Sequence, residues 1–205
     1  MRIQRISVGK RDKNKLILHF EDGTSIPASA DDAYMLKAGS DISEEEVSAL
    51  HKKYTDRRAR ASAARTLSHH SVSRARLSDK LKERGYSEKD AEETADWFVE
   101  KGLVDDERYA VMCAEYYKKR GYGILKIREE LRRRGISKEL SEETVARLGG
   151  FTDEIVPLIK KKLKSYSPDH AEKQKITSYL LRRGYKYDEI RSAFSELEFD
   201  TEDMF

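Results

Sequence analysis

Three stretches of this chain end a leucine-bearing helical pattern on the same Arg-Gly pair, and that recurrence restricts the fold more than any other feature. Counting back from Gly85, Gly135 and Gly184, arginine stands at minus one (Arg84, Arg134, Arg183) and leucine at minus four (Leu81, Leu131, Leu180). Leucine or isoleucine stands at minus eight (Leu77, Ile127, Ile176), and the glycines lie 50 and 49 residues apart. A fixed period of this size marks a tandem array of helical units, because a single unit cannot bury its apolar face alone.

Each unit reads as three helices. Apolar residues four apart share one helix face, and the glycine that follows can take the left-handed conformation that ends the helix. Counting forward, Ala95, Val145 and Phe194 at plus ten, with Phe98, Leu148 and Leu197 at plus thirteen, form the stripe of a following helix. Counting back eighteen reaches Leu67, Tyr117 and Tyr166, inside a preceding helix. The expected units are residues 58–104, 105–150 and 151–205, the last with an acidic tail. Capping signals agree: Ser87 with Asp90 opens one helix, Asp105 and its acidic neighbours another, and Ser167 before Pro168 a third.

Residues 1–57 differ. "RISVGKRDKNKLILHFEDGTSIPA" groups β-formers around polar turns, with Asp22-Gly23 as a hairpin signal, so two or three short strands are expected. "DDAYMLKAG" predicts a short helix ended by Gly39, and Ser43 with Glu46 predicts a capping box at the head of a long one. An isolated hairpin is marginal in water, so this element should dock on something. The fold class expected is mainly α: tandem three-helix repeats in an elongated, curved array, with a small N-terminal β-hairpin-like element.

Charged residues make up 39% and hydrophobic residues 38% of the 205, as suits a surface-rich helical protein without one large core. No stretch approaches the roughly 18 apolar residues of a membrane span, and the N-terminus lacks an apolar signal core, so a cytoplasmic protein without membrane partners is expected. The one cysteine, Cys113, permits no internal disulfide and reads as a core thiol. Catalytic signals are close to absent. There is no phosphate-binding Gly-Lys-Ser/Thr loop, and His69-His70 point about 100° apart on a helix, with no partner at a metal spacing. Neither an enzyme nor a cofactor is expected.

The net charge of +3 is unevenly placed. Residues 51–135 carry 22 basic against 15 acidic side chains, whereas residues 1–50 carry 7 against 9 and residues 136–205 carry 12 against 14. Contact with a polyanion is one reading of that excess, with Arg74, Arg76, Lys80, Lys126, Arg132 and Arg133 as the candidate residues. The other is that lysine and arginine complement helix C-termini and solvate the surface. The recurrence of Arg84, Arg134 and Arg183 points to a structural role for that position, such as binding the last carbonyls of its own helix. Tyr109, Tyr116, Tyr117 and Tyr122 could stack on bases. Tyr109 and Tyr116, seven apart, share a face as a packing stripe would, and Trp97 with Phe98 reads as core.

The run "SRARLSDKLKERGYSEKDAEETADWFVEKGLVDDERYA", followed by "KKRGYGILKIREELRRRGIS", resembles the RecX family of recombination regulators. The shared elements are Leu77 to Gly85, then Gly102 to Ala110, then Gly121 and Ile127 to Ile136. The resemblance covers residues 65–140 best. It implies a non-enzymatic regulator that binds the RecA recombinase filament on single-stranded DNA and inhibits recombination; the partners expected are that filament and single- or double-stranded DNA, and the chain is expected to be a monomer. Two other functions fit the residues alone: a free-standing DNA- or RNA-binding protein of helix-turn-helix-like repeats, or a protein-protein helical scaffold.

Overall fold

The computed structural model describes residues 1–10, 12–163 and 169–202. Three strands come first, β1 (Ile3–Val8), β2 (Lys15–Phe20) and β3 (Ser25–Ser29), followed by the short α1 (Ala30–Ala33) and the long α2 (Glu44–Leu67). Then come α3 (Arg74–Glu83), α4 (Glu88–Glu100), α5 (Asp106–Lys119), α6 (Ile124–Arg133), α7 (Lys138–Arg147), α8 (Thr152–Lys162), α9 (His170–Arg182) and α10 (Tyr187–Glu202). The chain is mainly helical, with one small antiparallel sheet in the order β1-β2-β3. Two compact units divide it: Met1–His70 with Leu77–Phe98, and Ser71–Arg76 with Val99–Phe205.

In the first unit the strand register sets the core. Ile6, Leu18 and Ile26 face one another across the strands, as do Val8, Leu16 and Ala28. This face covers a cluster in which Ile3, Leu18, Phe20 and Ala28 are buried with Ala33, Ile42 and Val47. Val47 belongs to α2, so the sheet docks on that helix, which meets the expectation for an isolated hairpin. Asp22 accepts from the Thr24 backbone N–H (2.9 Å) and hydroxyl (2.7 Å), fixing the β2–β3 turn with Gly23 at φ 83°. The predicted Ser43–Glu46 capping box is present, and Ser87 caps α4 through the Asp90 N–H at 3.1 Å. α2 crosses position 57/58 without a break.

In the second unit one cluster runs from Tyr109, Ala110, Cys113 and Ala114 of α5 through Ile127 and Leu131 of α6 to Ile155, Ile176, Leu180 and Tyr185. Leu131, Ile127 and Leu180 are fully buried, so the minus-four and minus-eight positions are the core of each repeat. Burying each such side chain stabilises by about 1.5–3 kcal/mol. Gly85, Gly135 and Gly184 all have positive φ, as a left-handed helix stop requires. α9 begins at His170 with Asp169 as its cap, accepting from Glu172 N–H at 2.7 Å; Ser167, Pro168 and Tyr166 lie outside the described residues.

The glycines do more than end helices. The Arg183 carbonyl accepts the Gly123 N–H at 2.9 Å, and the Gly184 carbonyl accepts the Leu125 N–H at 3.0 Å. The C-terminal turn of α9 thus satisfies backbone donors that the first turn of α6 would otherwise leave orphaned. A Cβ on Gly123 would sit 2.4 Å from the Gly184 backbone, and one on Gly184 would sit 2.3 Å from Lys126 N, so only two glycines permit this approach. The turn after α6 meets the first turn of α3 similarly. Ser73 donates to the Arg134 carbonyl, and a Cβ on Gly135 would lie 2.8 Å from that of Ala75.

Candidate nucleic-acid and partner interface

The six candidate cations stand on α3 and α6. Arg74 and Arg76 open α3, where Ser73 accepts the Arg76 N–H at 3.1 Å and Asp106 accepts the Arg74 N–H at 2.7 Å. Arg76 is exposed, while Arg74 and Lys80 are half-buried. On α6, Lys126 contacts Glu129 at 2.8 Å and Glu130 at 3.9 Å, Arg132 contacts Glu142 at 3.3 Å, and Arg133 contacts Glu130 at 2.6 Å. Arg128 holds the other oxygen of Glu142 at 2.7 Å. Every predicted cation of α6 is therefore already in contact with a carboxylate of its own chain. The docking of the Gly135 turn on Ala75 brings the start of α3 and the end of α6 together.

Glu130 organises this cluster. It is buried to 7% exposure, takes the Arg133 guanidinium through Nε and Nη2, and accepts the Tyr117 hydroxyl at 3.1 Å. Burial works against its ionisation, but the hydrogen bonds from Arg133 and Tyr117, with the charges of Arg133 and Lys126, outweigh it and hold the carboxyl below the usual glutamate range. Hydrogen bonding to Glu130 likewise holds Arg133 more firmly protonated than a free guanidinium.

The recurring arginine is structural, though not in the way expected from sequence. Each side chain reaches beyond its own helix, and among the described residues none of the three guanidinium groups binds its own helix's last carbonyls, which take the arginine's backbone N–H instead. Arg84 donates to the Ser62 carbonyl (2.9 Å) and hydroxyl (2.7 Å) in α2. Arg134 donates to the Tyr117 (2.9 Å) and Tyr109 (3.1 Å) hydroxyls in α5. Arg183 binds the Gly121 carbonyl at 2.7 Å and the Arg120 carbonyl, placing a cation at the negative end of α5. The choice follows from reach: a long guanidinium can serve the neighbouring helix, while its own last turn closes through the glycine.

The tyrosines divide. Tyr109 is buried, but Tyr116 is 50% exposed, so the expected Tyr109–Tyr116 packing stripe does not form. The buried face continues through Ala110, Cys113 and Ala114 instead, and Tyr116 lies outside it, paired edge-on with Tyr117 and covered by Arg120. Phe98 is core, whereas Trp97 is half-buried beneath Arg60 at 4.6 Å. Burial pushes the Cys113 thiol up, which makes it an inert packing group. His69 and His70 are exposed. Among the described residues, one trio of carboxylates, Asp56, Asp90 and Glu93, lies close enough to share an ion, but Lys52 already occupies it, 2.6 Å from Glu93 and 3.6 Å from Asp56. No helix is long and apolar enough to cross a membrane among the described residues.

Comparison with known proteins agrees with this construction. The family model described as "RecX, second three-helix domain" matches residues 105–145, and that described as "RecX, third three-helix domain" matches residues 153–194. Regulatory protein RecX of Clostridium botulinum (strain Eklund 17B / Type B) is 27% identical over 95% of both chains. That of Neisseria meningitidis serogroup C is 32% identical over 65% of this chain and 87% of its own. The crystal structure of RecX from Lactobacillus salivarius shares the fold with a TM-score of 0.68 at 22% identity, over 72% of this chain and 99% of that one. Another RecX crystal structure superposes over 95% of this chain and 98% of its own, with a TM-score of 0.70 at 19% identity. The chain belongs to the RecX family of regulatory proteins.

Proposed function

We propose that this protein regulates the RecA recombinase by binding its filament on single-stranded DNA and restraining strand exchange, without catalysis of its own. The three-helix repeats, expected over 58–104, 105–150 and 151–205, supply the framework. Arg74, Arg76, Lys80, Lys126, Arg132 and Arg133 supply polyanion contacts from α3 and α6. The observation that carries this reading is the exposure of Arg76, Arg132 and Arg133 where the start of α3 meets the end of α6, in a chain whose family is regulatory. An anion binding at Arg132 exchanges with Glu142, in an exposed ion pair worth at most about 1 kcal/mol. The ion pairs of α6 favour a second reading, a protein-protein scaffold whose charges are internal.

Titrating the protein into RecA-catalysed strand exchange and single-strand-dependent ATP turnover tests the proposal. Inhibition at less than one protein per recombinase subunit is expected. Normal strand exchange and turnover at all ratios would refute it.

A further inference from the structure

The first fifty residues have a net negative count that conceals a strongly basic hairpin. Residues 1–20 hold six lysines and arginines against one acid, while residues 21–50 hold one against eight. The structure separates the two sets. Asp32 is held by Lys53 and Arg57, Asp31 lies 3.5 Å from Arg57, Glu46 closes the α2 cap, and Asp22 is tied into the β2–β3 turn. Glu21 meets Arg2 at 3.8 Å. The one acid of the hairpin, Asp12, spends a carboxylate oxygen on the Asn14 N–H inside the β1–β2 turn.

The remaining cations have a face to themselves. Strand register places Arg5, His19 and Ser25 in one row across the outer face of the sheet, with Ser7, Ile17 and Pro27 in the next. Lys15 projects from the same face two residues beyond Ile17, and Lys10 and Lys13 are exposed in the adjoining turn. His19 bonds the hydroxyls of Ser7 and Ser25 at 2.9 Å each, and Arg5 approaches its ring at 3.5 Å. Among the described residues, none of Arg5, Lys10, Lys13 and Lys15 pairs with a carboxylate, unlike the α6 cations. An anion meeting them displaces no internal partner.

We propose that this outer face, Arg5, Lys15 and His19 with the neighbouring Lys10 and Lys13, is a docking surface for the phosphate backbone of single-stranded nucleic acid. Lys15 and His19, four residues apart on one strand, are separated by roughly 13 Å, a span that fits alternate rather than adjacent phosphates of an extended single strand. The half-buried Ile17–Pro27 pair lies between the basic rows. A single strand can lay a sugar or base on that apolar step, whereas a duplex would present only phosphates to it. The assignment goes beyond filament regulation and stands without RecA.

The test uses the full chain and a fluorescent thirty-nucleotide oligothymidylate, with binding followed by anisotropy at two salt concentrations and no recombinase present. Lys10→Glu/Lys13→Glu/Lys15→Glu is expected to weaken binding at least tenfold at low salt and to lower the salt slope by about two, given roughly 0.7 per single-strand phosphate contact. Arg5→Gln/Lys15→Gln, a milder change on the same face, should weaken it in the same direction, with unchanged far-ultraviolet circular dichroism in both. Unaltered affinity and slope in the triple variant would overturn the assignment, as would a wild-type chain that binds no oligonucleotide at either salt.

Discussion

Among the consecutive arginines 132–134, neighbouring side chains do different work. Arg134 turns inward to two tyrosine hydroxyls, and the cation that results is pushed well above the ordinary guanidinium value, chiefly by its bond to Tyr117. Arg132 stays on the surface against Glu142. Arg134→Ala is therefore expected to cost about 1–3 kcal/mol, since it strands partly buried hydroxyls and removes packing. Arg132→Ala should stay within about 0.5 kcal/mol, and urea denaturation of both variants checks the difference. Glu130 supplies a pH dependence with a definite sign. Its folded value lies below its unfolded one, so its stabilisation is complete above the ordinary glutamate value of about 4.3 and is lost as pH falls through the lower folded value. Between pH 5 and pH 3 the wild type should lose more stability than Glu130→Gln, narrowing the gap in their urea midpoints.

Helix ends, more than helix faces, distinguish this repeat. Gly123→Ala has no backbone penalty, its φ being −80°, yet its Cβ meets the Gly184 backbone at 2.4 Å. Gly184→Ala adds positive-φ strain to a clash with Lys126, while Gly85→Ala has the strain with open space around it. Gly85→Ala should thus cost about 1 kcal/mol, and the other two 2 kcal/mol or more, in thermal melts of the three variants. Local signals made the elements legible in the sequence: leucine at minus four with leucine or isoleucine at minus eight, the Ser43 and Ser87 caps, and the Asp22-Gly23 turn each act within a few residues. The interlocks were not legible, because Gly123 and Gly184 are 61 positions apart and each alone reads only as a turn residue. Arg183 reaching Gly121, 62 residues back, is invisible for the same reason. The basic hairpin is not legible along the chain, because its cations are followed at once by the acids of residues 21–46, and charge along a chain is not charge on a face.

For the whole molecule, the features form a division of labour. Buried leucines and glycine interlocks build the repeats, internal acids occupy the α6 arginines, and among the described residues Arg5 and Lys15 of the N-terminal sheet meet no carboxylate. Such a chain is expected to meet an acidic partner by two routes, one with exchange of internal ion pairs and one without. Arg132→Glu/Arg133→Glu should weaken filament inhibition severalfold while leaving helicity unchanged, as read by circular dichroism beside the strand-exchange assay. The most direct measurement is co-sedimentation of the protein with RecA assembled on single-stranded DNA in the presence of a slowly hydrolysed nucleotide, beside RecA alone and DNA alone. Regulation through the filament predicts enrichment in the pellet with the assembled filament, well beyond what either component retains. Equal retention by bare DNA, with no gain on adding RecA, would show instead that the protein is a nucleic-acid binder that does not recognise the filament.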